Sequence, residues 1–307
     1  MTIFGFSWRR SKATDPVFVD LTNDWAFKAI LGNEANEEVL LELLRQLIPN
    51  RKISEIEYID KEKKALRRSG KSSTFDVYCK TSDGERIIIE MQNNAQKHFL
   101  SRSIFYSTFA VQDQMKRGLK EYGFAPVYMI SFMCEDIAEF KGRTDYITRL
   151  NLCTQGDKIF VADNFNFIYV ELNKFLKTEA DLSDDDVLSG LLYSIKHMSR
   201  LKEIPHKLQK PLFRRLYAAS RFAAMNALEQ YRYIRAMTTK EDIKAQISWG
   251  IEQGIEQGIE QGIEQGKNAK SAEIARKMKN DGMSNDLICK YTGLSIEDLE
   301  QIQKETE

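Results

Sequence analysis

Two carboxylates and an amide are the residues most able to do chemistry here: Asp76 in TFDVYCK, and Glu90 with Gln92 at the end of RIIIEMQ. Side chains alternate along a strand, so Glu90 and Gln92 share one face while Ile87, Ile89 and Met91 share the other. A strand this apolar that ends in polar groups presents either a solvent face or a site. Whether Asp76 joins Glu90 depends on the turn TSDGE between them. A two-residue type I′ loop at Asp83-Gly84 places Asp76 opposite Met91 and puts the carboxylates on opposite faces. A three-residue loop, Ser82-Asp83-Gly84, with the glycine left-handed in a G1 bulge, pairs Thr81 with Glu85 and sets Asp76 opposite Glu90. Their β-carbons are then about 5 Å apart. Two partly buried carboxylates that close repel unless a cation lies between them, and a hard ion such as Mg²⁺ suits such oxygen donors. The expectation is a shared face, with Asp76 and Glu90 as metal ligands.

Composition narrows the chemistry further. Lysine plus arginine equals aspartate plus glutamate at 45 each, so no net field draws the chain to nucleic acid or a membrane, and phosphate binding must come from local patches. The three histidines, His98, His197 and His206, have no partner at triad or metal-ligand spacing, which counts against histidine-based nucleases and hydrolases. Cys79, Cys134, Cys153 and Cys289 form no CxxC pair and suit a reduced compartment. No apolar run reaches membrane-span length, and the start lacks the order of a secretory signal. The reading is a cytoplasmic protein with no membrane segment.

The elements that must hold the carboxylates follow from the periodicity. A short helix after Thr22-Asn23-Asp24 ends at Gly32-Asn33, and a second, with Val39, Leu40, Leu43, Leu44, Leu47 and Ile48 on one stripe, ends at Pro49. Strand patterns occur at 53–60, in the hairpin, at 125–134, and in KIFVAD and NFIYVEL, with a helix over 97–118. From about Asp184 the texture becomes helical. Lys210, Arg214, Arg215 and Arg221, spaced among aromatics, read as the surface of an amphipathic helix. Then IEQG occurs four times over 251–266. Its isoleucines drift about 40° per repeat around a helix, and each glycine costs about 1 kcal/mol there, so the repeat reads as a spacer, a frayed helix. The expected division is 1–183, an α/β domain; 184–246, a helical extension; 247–270, the repeat; and 271–307, a tail of three short helices with Ser284 and Ser295 as N-caps. The tail is reminiscent of a helix-turn-helix, but Glu297, Asp298 and Glu300 would repel phosphates, which favours a packing or protein-contact module.

Asp76 followed across a turn by Glu-x-Gln resembles the core of the PD-(D/E)XK nuclease superfamily. The chain is most similar to the recombination-promoting nuclease (Rpn) and transposase branch, through Asn23-Asp24-Trp25-Ala26-Phe27-Lys28, Thr74-Phe75-Asp76-Val77 and Ile89-Glu90-Met91-Gln92 in that order. The resemblance covers roughly the first half of the chain, and the repeat with its helical tail is also a habit of this branch. It implies a restriction-endonuclease-like mixed β-sheet flanked by helices, and a Mg²⁺-dependent DNA endonuclease tied to recombination or mobile elements. Asp76 and Glu90 would hold the metal. Gln92 stands where the wider superfamily has lysine, and Asp24 and Lys28 would be auxiliary catalytic residues. The basic stretch KEKKALRRSGK leads into the Asp76 strand, so Lys63, Lys64, Arg67, Arg68 and Lys71 are candidates to grip DNA phosphates. The C-terminal helical region is the candidate surface for a homo-oligomer. The rival reading is a member of the fold that has lost catalysis and acts as a DNA-binding or protein-interaction module.

Overall fold

A computed structural model describes residues 16–59, 62–63, 73–93, 98–115, 123–154 and 160–304. Helix α1 (Asp24–Leu31) starts where the Asn23 side chain accepts from the Ala26 amide, and α2 (Glu37–Leu47) follows one short turn later. Strand β1 (Ile56–Tyr58) precedes a small antiparallel pair, β2 (Glu62–Lys63) with β3 (Ser73–Thr74). The hairpin is β4 (Val77–Thr81) and β5 (Arg86–Gln92), then helix α3 (Phe99–Gln114) leads to β6 (Val127–Met133). Strands β7 (Ile147–Cys153) and β8 (Phe160–Glu171) complete a six-stranded sheet of order β1-β4-β5-β6-β8-β7. Its centre, β5, β6 and β8, is parallel, while β1, β4 and β7 run antiparallel to their neighbours, so the sheet is mixed as expected.

The two sides of the sheet are covered differently. On one, Val77, Cys79, Ile87, Ile89, Met91, Tyr128, Ile130 and Phe132 pack against α1, α2, α4 (Val187–His197) and α5 (Pro211–Ala219). On the other, Tyr78, Ile88, Met129 and Tyr169 lie under Phe99 and Ala110 of α3. The apolar stripe of α2 therefore does what its spacing foretold.

The chain divides into compact units at Met1–Met237 and Thr238–Glu307. Helices α4 and α5, expected as part of a separate extension, put Leu191, Leu192, Ile195, Phe213, Leu216 and Tyr217 into the same core as the sheet. Their approach is close enough that a β-carbon on Gly190 would come within 2.5 Å of the Phe213 ring, so only glycine fits there. Helix α6 (Ala227–Asn280) runs unbroken through the IEQG repeat and takes in what was expected as the first tail helix. In the second unit Ala275 of α6, Ile288 of α7 (Asn285–Thr292) and Leu299 of α8 (Ile296–Lys304) form a small core. Ser295 caps α8, donating to Asp298 while accepting from its amide, whereas Ser284 occupies the cap position of α7 without a side-chain bond.

Two strands differ from the sequence reading. The described part of KIFVAD, 160–163, and 166–171 of NFIYVEL belong to one strand, β8, and β7 had no distinct signal because ITRLNLC is an edge strand with Arg149, Leu150 and Leu152 exposed. Among the described residues, no helix is long and apolar enough to cross a membrane.

Candidate active site

The hairpin turn decides the site. Gly84 has φ +86° and its amide donates to Thr81 O at 2.9 Å, while the Thr81 amide donates to Glu85 O at 3.0 Å. This is the three-residue loop, and glycine is needed for its backbone rather than for space, since a β-carbon there would meet Ala125 at an ordinary 3.8 Å. The register runs Lys80 to Arg86, Cys79 to Ile87, Tyr78 to Ile88 and Val77 to Ile89, so its next step sets Asp76 against Glu90. The two share the face covered by α3.

Each carboxylate is held in a different way. The Met91 amide, which points sideways from β5, donates to Asp76 Oδ2 at 2.8 Å, so the main chain of one strand orients the side chain of the other. Glu90 is only 4 % exposed. Its Oε2 accepts from Gln92 Nε2 at 3.3 Å, but its Oε1 is sealed from solvent with no hydrogen-bond partner. Burial, with the Asp76 carboxylate beside it, pushes the Glu90 carboxyl up to about 8, while the Arg102 guanidinium and hydrogen bonds from the Asp76 amide and Gln92 pull the other way. In the absence of a cation the pair therefore favours a shared proton over two negative charges.

A polar row continues across the sheet. Glu90 is paired with Ser131 of β6, and Ser131 with Tyr169 of β8, whose hydroxyl lies 2.6 Å from Ser103 Oγ of α3. Ser131 is fully buried and its hydroxyl, like Glu90 Oε1, has no hydrogen-bond partner. Two buried polar atoms without a protein partner thus lie on adjacent strands, where a water or an ion would satisfy them. Hard oxygen donors with one orphaned carboxylate oxygen fit a divalent cation that keeps waters or phosphate in its remaining positions. Among the described residues no cluster of three or more acidic, histidine or cysteine side chains is placed to hold a metal.

The other expected site residues are placed elsewhere or lie outside the described residues. Helix α1 packs on the opposite side of the sheet, with Phe27 5.5 Å from the Phe132 ring. Asp24 is exposed at its first turn and Lys28 partly exposed, and the charges that act most on Glu90 are Asp76 and Arg102. Lys64, Arg67, Arg68 and Lys71 lie outside the described residues, and of Lys63 only the backbone, paired with Ser73, is described. Sequence reasoning missed Ser131 and Arg102. Ser131 had a signal, as the one serine in a seven-residue buried strand, VYMISFM. Arg102 had none, because its meaning depends on which way α3 lies on the sheet.

A family model described as PD-(D/E)XK nuclease family transposase matches residues 21–250, and one described as the Rpn/YhgA-like nuclease family C-terminal HTH domain matches residues 268–304. No curated protein and no solved structure matches the chain. The second match bears out the likeness of the tail to a helix-turn-helix, and the turn at Gly293, φ +74°, between α7 and α8 lies within the matched residues. With a mixed sheet, a carboxylate hairpin and a match over most of its length, the chain belongs to the PD-(D/E)XK nuclease family transposases, of the Rpn type.

Proposed function

We propose that the protein is a divalent-metal-dependent DNA endonuclease that hydrolyses phosphodiester bonds in the service of recombination or mobile elements. The observation that carries this reading is the apposition of Asp76 and a buried Glu90 that keeps one oxygen without a partner. A cation such as Mg²⁺ held by Asp76 and Glu90 would supply an activated water and neutralise charge on the scissile phosphate. The chain's own contribution is positioning. The Met91 amide fixes Asp76, and the sheet fixes Glu90. Gln92 ties its amide to Glu90 and orients neighbours without titrating.

Lys63, Lys64, Arg67, Arg68 and Lys71 precede β4 in the chain and supply phosphate contacts in this reading, and the helix-turn-helix tail adds a further DNA-facing module. Asp24 and Lys28 are not needed for it. Self-association is assigned to α6, where Ile251, Ile255, Ile259 and Ile263 are each more than half exposed. The free thiols Cys79, Cys134, Cys153 and Cys289 suit a cytoplasmic location.

Purified protein incubated with supercoiled plasmid and Mg²⁺ should nick or linearise it, with EDTA, Asp76→Ala and Glu90→Ala each stopping the reaction. Equal behaviour of wild type and both variants would instead leave a binding protein on a nuclease fold.

A further inference from the structure

We infer that Arg102, reaching from α3 over the sheet, supplies the positive charge that meets the scissile phosphate, in the role that Gln92 cannot fill. The inference rests on the nuclease reading and names a substrate contact within it. Gln92 is 8 % exposed, commits its amide to Glu90, and carries no charge, so the end of the Glu-x-Gln motif offers nothing to balance a phosphate that gains negative charge as it reacts.

Two rings of its own helix flank Arg102, one on the turn before it and one on the turn after. Its guanidinium carbon lies 5.4 Å from the Phe99 ring centre and 5.1 Å from that of Tyr106. Phe99 meets Tyr169 edge-on at 6.2 Å, and Tyr169 is two strands from Glu90, through Ser131. Tyr106 meets Phe75, the residue before Asp76, at 5.5 Å. A guanidinium that touches both rings is thus held above the strip of sheet between Asp76 and Tyr169, where Glu90 and Ser131 lie. The electrostatics agree with this placement. Arg102 opposes the upward shift of both Glu90 and Tyr106, and Tyr106 in turn feels the charges of Glu90 and Asp76. The residue as a whole is only partly buried, although its Nε is enclosed.

The bland account makes Arg102 a fastener that holds α3 to the sheet through its two rings. An unbranched apolar side chain would do that as well, because the stem and not the charge would matter. Phosphate recognition requires the charge and profits from the planar fork of donors, which lysine reproduces only in part.

Arg102→Met and Arg102→Lys of the full chain separate these accounts. We would measure single-turnover cleavage with Mg²⁺, DNA affinity by fluorescence anisotropy with Ca²⁺ in place of Mg²⁺, Ca²⁺ binding to DNA-free protein by calorimetry, and melting. Arg102→Met should slow cleavage about 100-fold, as loss of one transition-state charge contact does elsewhere, and weaken DNA binding about tenfold. Arg102→Lys should recover part of both losses, and Ca²⁺ affinity should stay within about threefold because the arginine is not a ligand. Cleavage by Arg102→Met within about threefold of wild type overturns the inference, as does a parallel loss of Ca²⁺ affinity in a variant that still melts normally. If Arg102→Met melts early, Arg102→Gln takes its place with the same expectations. A wild type that cuts in no divalent cation sinks the nuclease reading instead, and the anisotropy comparison alone then decides whether Arg102 contacts phosphate.

Discussion

Strand β5 belongs to two regions of the molecule at once. Its residues Ile87, Ile89 and Met91 face a side of the sheet covered by α1, α2, α4 and α5, where they join one large apolar cluster. Ile88, Glu90 and Gln92 face the side covered by α3, and along those six residues the surroundings change from apolar packing to a carboxylate pair. Period-two alternation lets one strand serve core and site without compromise. The thickly packed side supplies the rigidity, and the thinly covered side can then hold an arrangement that is unfavourable by itself: two acids, an orphaned oxygen and an orphaned hydroxyl.

The sharpest division between the faces should appear in activity. Asp76→Ala and Glu90→Ala are expected to lower cleavage at least about 1,000-fold with little loss of stability, since each leaves a single carboxyl where two compete for one proton. On the other side, Phe27→Ala removes a fully buried ring packed on Phe132, which should cost about 3–5 kcal/mol in urea unfolding. Cleavage per folded Phe27→Ala molecule should stay close to wild type. If that variant loses activity faster than it loses folded protein, the packed face takes part in the chemistry and the division fails.

A subtler separation comes from pH. Glu90 in the cation-free fold titrates at about 8, above the 4.5 of an unperturbed glutamate. Between those values the native state holds a proton that the unfolded chain has released, so stability falls as pH rises through the window, and the full penalty is present above it. Glu90→Gln removes that dependence. In EDTA the variant should melt higher than wild type, with a gap that widens from pH 5 to pH 8 at about 2–4 °C for each kcal/mol of penalty removed. Saturating Mg²⁺ should close the gap, because wild type then gains a ligand that the variant binds poorly. A gap that is the same at pH 5 and pH 8 would mean that Glu90 is not the titrating group.

The site was legible to the extent that it was local. Five residues, TSDGE, carried the turn, and the turn carried the register that brings Asp76 to Glu90. What escaped depends on packing between distant segments. Asp24 and Lys28 have the right chemistry, but Ala26, Phe27, Ile30 and Leu31 turn α1 to the other side of the sheet, and no local pattern says which side a helix will take. Arg102 escaped for the same reason in reverse. The continuity of α6 was missed because the glycine cost was weighed residue by residue, whereas the helix also gains from the isoleucine, glutamate and glutamine between them and from its own length.

The smallest expected effect tests whether the site face is under-satisfied or merely polar. Ser103 and Ser131 are both fully buried beneath or within α3's footprint, but Ser103 bonds Tyr169 and the Leu100 carbonyl while Ser131 has no partner. Deleting a bonded buried hydroxyl costs about 1 kcal/mol, and deleting an unbonded one costs nothing or returns part of its desolvation penalty. In cation-free protein Ser103→Ala should therefore lose about 1 kcal/mol, and Ser131→Ala should match wild type or exceed it slightly. If urea midpoints show the two variants equally destabilised, Ser131 has a partner in solution. The orphaned Glu90 oxygen on the neighbouring strand, directly or through a water, would then be the group to examine, and the site would be more nearly complete before a cation arrives than its hydrogen bonding indicates.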